Sequence, residues 1–346
     1  MGNINKIKVA VVILNWNGRK FLEKFLPSVV KNSIGAHIIV ADNNSSDDSV
    51  TFMKDHYPNI RLIINEKNTG YAQGYNNALK EVDAEYFVLL NSDIEVGENW
   101  VIPIIDEMDK DKNIGAAQPK LRAYNSDQRH EFEYAGASGG FIDKYGYPFC
   151  RGRVFDSLET DNGQYDSNRE IFWASGAAMF VRAEAFEKVG GLDGDFFAHM
   201  EEIDFCWRLK LEGYKIMAIP KSTVYHVGGG TLPKNSARKT YLNFRNNFSL
   251  LVKNLPKNRV YKVILYRLFL DGVAGLKFLS QGHYKDTFAI IKAHFYFYTH
   301  IKEIRAKRKG RKIIPVSQVY NRNIVFDHYI KRKTKFSELK ESVFTN

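Results

Sequence analysis

Carboxylates stand where two apolar runs of the sequence end. Phe87–Leu90 is followed by Asn91, Ser92 and Asp93, and an earlier apolar run ends at Asp42. A hard divalent cation that holds a diphosphate needs one or two protein oxygens, because phosphate and water fill its other positions. The pattern predicts a metal site at Asp93, in a cleft that Asp42 also borders. The structural alternative is an aspartate that only forms a turn.

A cluster of three acids opens a predicted helix, Glu201–Glu212. Glu201, Glu202 and Asp204 suit the positive end of the helix dipole, which is a purely structural explanation. Like charges held close together also raise one pKa, and a general base that deprotonates a hydroxyl requires such a shift. Because Glu201 and Glu202 point in different directions on a helix, we expect one of the two to act as the base.

His226 follows a short predicted strand and precedes the glycine run Gly228–Gly230. A lone histidine is more often structural than a ligand. Imidazole nitrogen is nevertheless a common metal ligand. The glycine hinge, together with a second candidate ligand at Asp93, favours metal binding by His226.

Two other segments have residues suited to a nucleotide. Asp42 could accept a hydrogen bond from a base N–H, although the following Ser45 and Ser46 also suit the start of a helix. Gly70 and Gly74 permit close approach of a ligand to the backbone where a helix begins, or they form only a tight loop. Each segment therefore keeps a structural alternative.

The elements that would position these residues alternate between strand and helix. The predicted strands are Val9–Leu14, His37–Asn43, Arg61–Asn65 and Tyr86–Asp93. The predicted helices are Lys20–Val30, Asp47–His56, Gly74–Val82 and Trp100–Lys110. Such alternation predicts an α/β domain with a mostly parallel sheet and helices on both faces. Ligands of these sheets bind beyond the carboxyl ends of the strands, where Asn15–Asn17, Asp42 and Asn91–Asp93 fall.

The rest of the chain is less regular. Gln118–Tyr165 is rich in Gly, Tyr and Phe and predicts an irregular or antiparallel insertion. A strand-like run, Ile171–Val181, follows it, and one or two short strands are expected to end near His226. The helix predicted at Ser236–Lys253 leads into the C-terminal third. We predict a catalytic domain at 1–253, an amphipathic helical region at 254–306 and a loose basic tail at 307–346.

Composition narrows the class of protein. The chain has 346 residues, of which 44% are hydrophobic, so it can bury a large core. It has two cysteines, which argues against a disulfide framework and fits a reducing, cytoplasmic compartment. The first apolar run is too short for a secretory signal, and no run approaches the roughly 18 residues of a membrane span.

The positive charge is concentrated at one end of the chain. From Lys253 onward there are 21 Lys and Arg against 6 Asp and Glu, whereas the preceding residues carry a net charge of −4. No nucleic-acid-binding motif accompanies the basic region. Aromatic and basic residues alternate through Arg259–Arg305, which favours helices on an anionic membrane surface. The alternative is packing of these helices on the catalytic domain or on a second subunit of a homo-oligomer.

The chain resembles the inverting glycosyltransferases of family 2, and in particular their bacterial rhamnosyltransferase-like branch. The resemblance extends from about Val9 to Lys253 and depends on an ordered set of segments. They are VVILNWNG, VADNNSSDDS, NTGYAQGYN, LLNSD, WASGAAMFVR, HMEEIDFCWRL and YHVGGG. It implies a Rossmann-like GT-A domain that passes a sugar from a nucleotide-diphosphate donor to an acceptor hydroxyl.

The resemblance also implies roles for matching positions. Asp93 and His226 would hold Mg²⁺ or Mn²⁺, and Glu202 would be the base, with Glu201 as the alternative. The residues implied to bind the nucleotide sugar are Asn15, Asn17, Asp42, Asn68, Gly70, Asn91, Ser92, Trp173, Ser175, Gly176 and Arg245. Two positions depart from the family pattern. Asn91 replaces the first acid of an Asp-x-Asp motif, and Glu202 replaces an aspartate.

The implied substrates are dTDP-rhamnose or a UDP-sugar as donor and a saccharide or lipid-linked acceptor, as in cell-surface polysaccharide assembly. A sugar nucleotidyltransferase is one alternative, but its usual Gly-rich basic loop after the first strand is replaced here by Asn15–Arg19. An inactive nucleotide-sugar-binding protein is another, and the acids at Asp93, Glu202 and Asp204 argue against it.

Overall fold

The computed structural model describes residues 6–125, 127, 129–228 and 236–346. Their strands are β1 (Ile7–Asn15), β2 (His37–Asp42), β3 (Arg61–Ile64), β4 (Ala84–Asn91), β5 (Ile94–Val96), β6 (Ile114–Ala123), β7 (Gly140–Asp143), β8 (Pro148–Cys150), β9 (Arg153–Val154), β10 (Ser157–Leu158), β11 (Arg169–Ile171), β12 (Ala178–Arg182), β13 (Lys215–His226) and β14 (Val319–Tyr320). Their α-helices are α1 (Arg19–Asn32), α2 (Ser49–His56), α3 (Gly70–Leu79), α4 (Ile102–Lys110), α5 (Ala183–Lys188), α6 (Glu201–Leu211), α7 (Ala237–Asn254), α8 (Lys257–Ser280), α9 (Tyr284–Ala306) and α10 (Ile324–Tyr329).

The first half of the main sheet is parallel, as the strand–helix alternation predicts. β1 lies between β2 and β4, and β3 lies beyond β2. The run Val9–Ile13 is at most 3% exposed, because both faces of the sheet are covered. Helices α1 and α4 cover one face, and α3 and α6 cover the other. Burial on both faces explains why the apolar runs are continuous rather than alternating.

The second half of the main sheet is mixed. β12 runs antiparallel to β4 and β6, and β13 runs parallel to β6. The predicted strand Ile171–Val181 is in fact two strands, β11 and β12. Between them the chain leaves the sheet, and Trp173 exchanges backbone hydrogen bonds with Gly140. The predicted insertion at Gln118 begins inside β6, a buried strand whose Ala, Gln and Pro residues have no strand-like pattern.

A second sheet forms from the predicted insertion and the C-terminal tail. Its order is β10-β9-β8-β7-β14, and β7 to β10 are antiparallel neighbours. The tail contributes β14, which pairs parallel with β7. Phe336 and Phe344 of the tail are buried against Phe141, with ring centroids 4.9 and 5.2 Å away. The expectation of a loose tail from Lys307 is therefore wrong, because its aromatic side chains complete the core of this sheet.

The helical region predicted after Asn258 consists of α8 and α9. α9 packs on α7, where the rings of Phe248 and Phe297 stack with centroids 4.8 Å apart. α8 contacts the second sheet through Arg267, whose guanidinium carbon lies 3.7 Å from the ring centroid of Tyr147. Among the helices of the described residues, none combines the length and apolar character that crossing a bilayer requires. The division of the chain at 253 and 306 stays a prediction.

Candidate active site

A cleft of about 760 Å³ opens at the carboxyl ends of β1, β4 and β13. These strands point the same way, so their ends meet at one edge of the sheet, which is where ligands of α/β folds bind. The beginnings of α3, α6 and α7 form the facing walls. The predicted site residues that line the cleft are Asn68, Gly70, Asn91, Asp93, Ser175, Gly176, Glu201, Glu202 and His226.

Asp93 and His226, although far apart in sequence, are brought together by strand pairing. β5 runs antiparallel to β13, which sets Ile94 opposite His226, and the backbone N–H of Val227 donates to the carbonyl of Asp93 at 3.2 Å. The His226 Nε2 atom lies 3.2 Å from Asp93 Oδ1. Of the predicted glycine hinge, Gly229 and Gly230 lie outside the described residues.

Glu133 is the second carboxylate beside His226. Its Oε1 atom lies 3.4 Å from Nδ1 of the imidazole. Burial alone would lower the pKa of His226, but the charges of Asp93 and Glu133 outweigh it and raise the pKa to about 10. Burial likewise opposes ionisation of the two acids, and the facing imidazole nevertheless holds the pKa of each below its usual range.

The donor set fits a divalent cation with few protein ligands. Asp93 offers a carboxylate and His226 offers Nε2, and both side chains line the cleft. Glu133 lies on the opposite side of the ring, where a carboxylate orients a metal-binding imidazole and sets its tautomer. In the part of the chain that the structure describes, no group of three or more His, Cys, Asp or Glu is arranged around a metal position. A cation here would therefore depend on phosphate and water for its other positions.

The acids at the start of α6 divide into two kinds. Asp204 is fully buried and accepts hydrogen bonds from Arg208 and Asn254, both at 2.8 Å, and its Oδ1 lies 2.8 Å from Lys253 Nζ. These partners hold its pKa well below the usual range despite burial. Glu201 and Glu202 line the cleft, and each has a buried Oε2 atom with no hydrogen-bond partner among the described residues.

Burial therefore acts on Glu201 and Glu202 with no compensating cation among the described residues. It raises the pKa of both carboxyls, and for Glu201 the neighbouring Glu202 and Asp204 raise it further. A carboxyl with a raised pKa at a cleft wall is suited to accept a proton from a hydroxyl near neutral pH. Asp204, by contrast, acts as a structural anchor for α6.

The loop that delivers Glu201 has an unusual backbone. Phe197, His199 and Met200 all have positive φ angles, between 63° and 71°, which non-glycine residues rarely adopt. Such strain persists only when the surroundings fix it, and it concentrates at functional sites. Here the side-chain amide of Asn246 on α7 donates to the carbonyls of residues 196, 198 and 199 at 3.0, 2.9 and 2.6 Å.

Gly70 holds the same loop from the other side. Its φ is +81°, and a Cβ atom there would lie 2.5 Å from both the ring and the carbonyl oxygen of Phe197. That carbonyl accepts hydrogen bonds from the N–H groups of Tyr71 and Ala72 at the start of α3. Gly70 is thus needed for contact between α3 and the loop, in addition to its place in the cleft lining.

Three residues predicted to bind the nucleotide sugar lie behind the cleft wall, near the ends of β1 and β2. Asn15 and Asp42 are buried, and the amide of Asn15 donates to Asp42 at 3.0 Å. Asn17 accepts from the N–H of Ser46 at 2.7 Å. These three side chains shape the loops after β1 and β2 and do not line the cleft. Direct contact of any of them with a nucleotide stays a prediction.

Three other predicted residues also lie away from the cleft lining. The indole of Trp173 donates to the carbonyl of Phe141 at 2.9 Å and is buried in the core. Arg245 donates to the carbonyls of Asp195 and Phe196 and so supports the strained loop. Ser92 lies between Asn91 and Asp93, both of which do line the cleft.

Several lining residues were not predicted. Glu133 lies in the irregular insertion, where no pattern marks it. His199 is half-buried, and desolvation and the charge of Lys239 lower its pKa to about 4. Arg238 and Lys239 stand in the first turn of α7, which is the positive end of that helix. Cations are unfavourable at that end of a helix unless an anion offsets them. Two cations in the first turn of α7 could therefore have been recognised from the sequence as candidate site residues, once the start of α7 was located.

Comparisons with known proteins identify the family of the chain. A family model described as "Glycosyl transferase family 2" matches residues 10–190. The chain is 25% identical over 233 residues to N-acetylglucosaminyl-diphospho-decaprenol L-rhamnosyltransferase of Mycobacterium tuberculosis, covering 62% of this chain and 75% of that protein. It is 22% identical over 229 residues to rhamnosyltransferase WbbL of Escherichia coli, covering 63% and 83%.

The fold is also similar to solved structures. A crystal structure of GalNAc-T7 with UDP, GalNAc and Mn²⁺ superposes with a TM-score of 0.57 at 18% identity. The match covers 73% of this chain and 50% of that chain, so this chain spans half the length of the GalNAc-T7 chain. Residues 1–349 of Staphylococcus aureus TarS superpose with a TM-score of 0.51 at 13% identity, covering 87% and 88%. These likenesses identify the GT-A fold.

Proposed function

Since the chain belongs to glycosyl transferase family 2 and is a glycosyltransferase, we propose that it transfers a sugar from a nucleotide-diphosphate sugar to an acceptor hydroxyl with inversion of the anomeric carbon. One observation carries this proposal. The Asp93–His226 pair and the carboxyls of Glu201 and Glu202 line one cleft at the carboxyl edge of the sheet.

The diphosphate end of the donor would be held by opposite charge. Asp93 and His226 would bind Mg²⁺ or Mn²⁺, with Glu133 orienting the imidazole. When bound, the cation offsets the charge that develops on the leaving diphosphate. Arg238 and Lys239 at the positive end of α7 supply further positive potential at the cleft, which a leaving anion compensates.

The acceptor end would be served by the acids of α6. Glu202, or Glu201 in its place, accepts the proton of the acceptor hydroxyl. The oxygen then attacks the anomeric carbon from the face opposite the diphosphate, so that the new C–O bond forms as the bond to the diphosphate breaks. Burial of these carboxyls, with no cation beside them, supports a base whose proton affinity is high enough for this task.

The relatives suggest the substrates. Both named relatives are rhamnosyltransferases, and the mycobacterial one is named for a decaprenol-linked acceptor. We therefore place dTDP-rhamnose first as donor, with a UDP-sugar as the alternative. The proposed acceptor is a saccharide on a lipid carrier, in assembly of a cell-surface glycan.

A lipid-linked acceptor fits a surface of the C-terminal helices, which we name the apolar stripe. Six large apolar side chains on neighbouring turns of α8 and α9 are each at least 65% exposed. They are Tyr261, Leu265, Phe269, Leu276, Phe288 and Phe295. Exposed apolar patches of this kind mark interaction surfaces. The basic C-terminal third favours an anionic membrane face as the partner and a peripheral location for the enzyme.

The test of the function is donor binding followed by transfer. Thermal shift against a panel of nucleotide sugars, with and without Mn²⁺, should show stabilisation that needs both the metal and one class of donor. Asp93→Ala should abolish both the metal-dependent shift and transfer. Unchanged transfer by Asp93→Ala would contradict the assignment of Asp93 as a metal ligand. If wild-type protein binds a donor in the presence of metal but transfers its sugar to no saccharide, the protein binds nucleotide sugars without being a transferase.

A further inference from the structure

A second groove, of about 890 Å³, lies between α8, α9 and the segment that follows α9. We name it the basic groove. It shares no lining residue with the catalytic cleft. Its floor is apolar and includes Val260, Ile264, Phe297 and Ile301. Tyr261 belongs both to this groove and to the apolar stripe, so the two surfaces are continuous.

The rim of the basic groove carries charge of one sign. Its charged lining residues are Lys257, Arg305, Arg308, Lys309 and Arg311, and no carboxylate among the described residues lines it. Across the described ranges, none of these five side chains forms an ion pair. An apolar floor beneath five cations is complementary to a molecule with an anionic head and an apolar chain.

Asp193 and Asp204, the two acids whose charge acts on Arg311, are engaged with other cations. Asp193 lies 2.5 Å from both Lys253 and Lys307, and Asp195 lies 2.5 Å from Lys307. Asp204 is shared by Arg208 and Lys253. These acids thus act as counter-ions for cations outside the rim, and within the described ranges none of them forms an ion pair with a rim residue.

The rim residues also repel one another. Burial lowers the pKa of Arg308, and the nearby Arg305 lowers it further. Arg308 nevertheless keeps its position by donating to the carbonyl of Val252 at the end of α7. The repulsion between like charges that the fold holds close together decreases when an anion binds between them.

We propose that the basic groove binds the phosphate-bearing head group of an anionic membrane lipid, whose chains follow the apolar floor toward the apolar stripe. The proposal rests on the membrane contact described above and is independent of the transfer reaction. It places one lipid at a defined site, which distinguishes it from attraction by a diffuse basic surface.

The first experiment is vesicle flotation of the full chain. Wild-type protein should float with phosphatidylcholine vesicles that contain about 30% phosphatidylglycerol, and it should remain behind with pure phosphatidylcholine. The test variant is Lys309→Gln/Arg311→Gln, since both residues are exposed and neither side chain donates a hydrogen bond within the described part of the chain. Its partition should fall about fivefold for each charge removed, so on the order of 25-fold in all.

The matched control removes the same charge from a distant surface. Lys54→Gln/Lys80→Gln changes two exposed lysines of the catalytic domain and should float like wild type. Equal flotation of test and control variants would overturn the proposal. Both variants should keep the donor-induced thermal shift, while Asp93→Ala should lose that shift and keep flotation. The two assays therefore distinguish an incorrect assignment of the lipid site from an incorrect assignment of the catalytic site.

A second experiment locates the lipid. The two native cysteines, Cys150 and Cys206, are buried, so a thiol-reactive fluorophore at Ile313→Cys reports on the groove alone. Vesicles with doxyl-labelled lipid should quench this probe and leave one at Lys80→Cys unquenched. No quenching at residue 313 despite flotation would reject the groove as the lipid site. Binding of millimolar inorganic phosphate at this probe, in a protein that does not float with anionic vesicles, would identify a free-phosphate site and would also contradict the proposal.

Discussion

Asn246 should control catalysis without touching the substrate, because it holds the strained loop before Glu201. Its side chain is 1% exposed and donates to the carbonyls of residues 196, 198 and 199. One amide has two N–H hydrogens, so Asn246→Ala removes about two donated hydrogen bonds at roughly 1 kcal/mol each, with some added cost for carbonyls left buried. It also removes the hydrogen bond that Asn246 Oδ1 accepts from Arg245 Nε at 2.8 Å. We expect the free energy of unfolding to fall by about 2–3 kcal/mol.

The loss of activity should be larger than this loss of stability implies. Phe197, His199 and Met200 have positive φ angles that relax once the clamp is removed, and Glu201 and Glu202 follow them directly. A displacement of a catalytic group by about 1 Å can reduce turnover on the order of 100-fold. We therefore expect kcat to fall by this order, while KM for the donor changes little, because the Asp93–His226 pair is on a different wall.

The neighbouring residue provides the control. Asn247 is also buried on α7, and its amide donates to the carbonyl of Gly146 at 2.9 Å, away from the strained loop. Asn247→Ala should lose about 1 kcal/mol of stability and keep its kcat. Chemical denaturation and transfer kinetics on both variants test the reasoning. If the two variants have the same kcat, the clamp does not position the base and the argument from backbone strain is refuted.

Other predictions concern the acids and Gly70. Glu202→Gln should stop transfer and spare donor binding, measured by transfer assay and thermal shift; if Glu201→Gln does so instead, Glu201 is the base. The pKa of both carboxyls is raised, so the active carboxylate form accumulates only at pH values well above the usual pKa of glutamate. We therefore expect kcat to rise with pH through the neutral region. A flat profile of kcat from pH 5 to 8 would contradict this. A folded-state pKa above the unfolded value makes ionisation of Glu201 destabilising, so stability is lost as the pH rises above the unfolded pKa. Glu201→Gln should therefore raise Tm at pH 8 more than at pH 5. An equal change in Tm at both pH values would show that ionisation of Glu201 does not affect stability. Gly70→Ala should lower the free energy of unfolding by at least about 1 kcal/mol, because residue 70 has a positive φ and the new Cβ would collide with Phe197. Gly35→Ala is the control, since Gly35 also has a positive φ but open space around it. It should lower the free energy of unfolding by less in the same denaturation assay.

His226 shows how the site is prepared for a cation. In the structure its imidazole lies between two carboxylates, which favour a positive charge at this position. If a divalent cation binds, Asp93 and a neutral His226 would hold it, and Glu133 would orient the imidazole through its Nδ1 proton, so the positive charge between the two carboxylates would be kept. Asp93 and His226 as ligands, and Mg²⁺ or Mn²⁺ as the ion, stay predictions that metal titration of Asp93→Ala and wild type would decide.

The sequence by itself was sufficient for the parallel half of the fold. The strands β1, β2 and β4 contain continuous, buried apolar runs, and α1 has buried residues at helical spacing, so local pattern and final environment agree. The site residues at the carboxyl ends of these strands, Asn91 and Asp93, were predictable for the same reason. The three-acid cluster at Glu201 was visible as well, because it stands at a clear helix start.

Local pattern failed where long-range contacts decide the structure. β6 is a central strand made of small and polar residues, and it is stabilised by its neighbours β12 and β13 rather than by its own propensity. The tail was expected to be loose because it is basic, yet Phe336 and Phe344 find a core that residues 141–150 provide.

The partners of each functional side chain were decided by the tertiary structure alone. Nothing near Glu133 in sequence shows that it will lie beside His226, and nothing near Asp204 shows that Lys253 will neutralise it while Glu201 and Glu202 stay unpaired. The pKa of a carboxyl depends on burial and on charges within a few ångströms, and these are set by strand pairing and helix packing across the whole chain. Residue types and order therefore determined which chemistry is available, and the fold determined which of three adjacent acids can perform it.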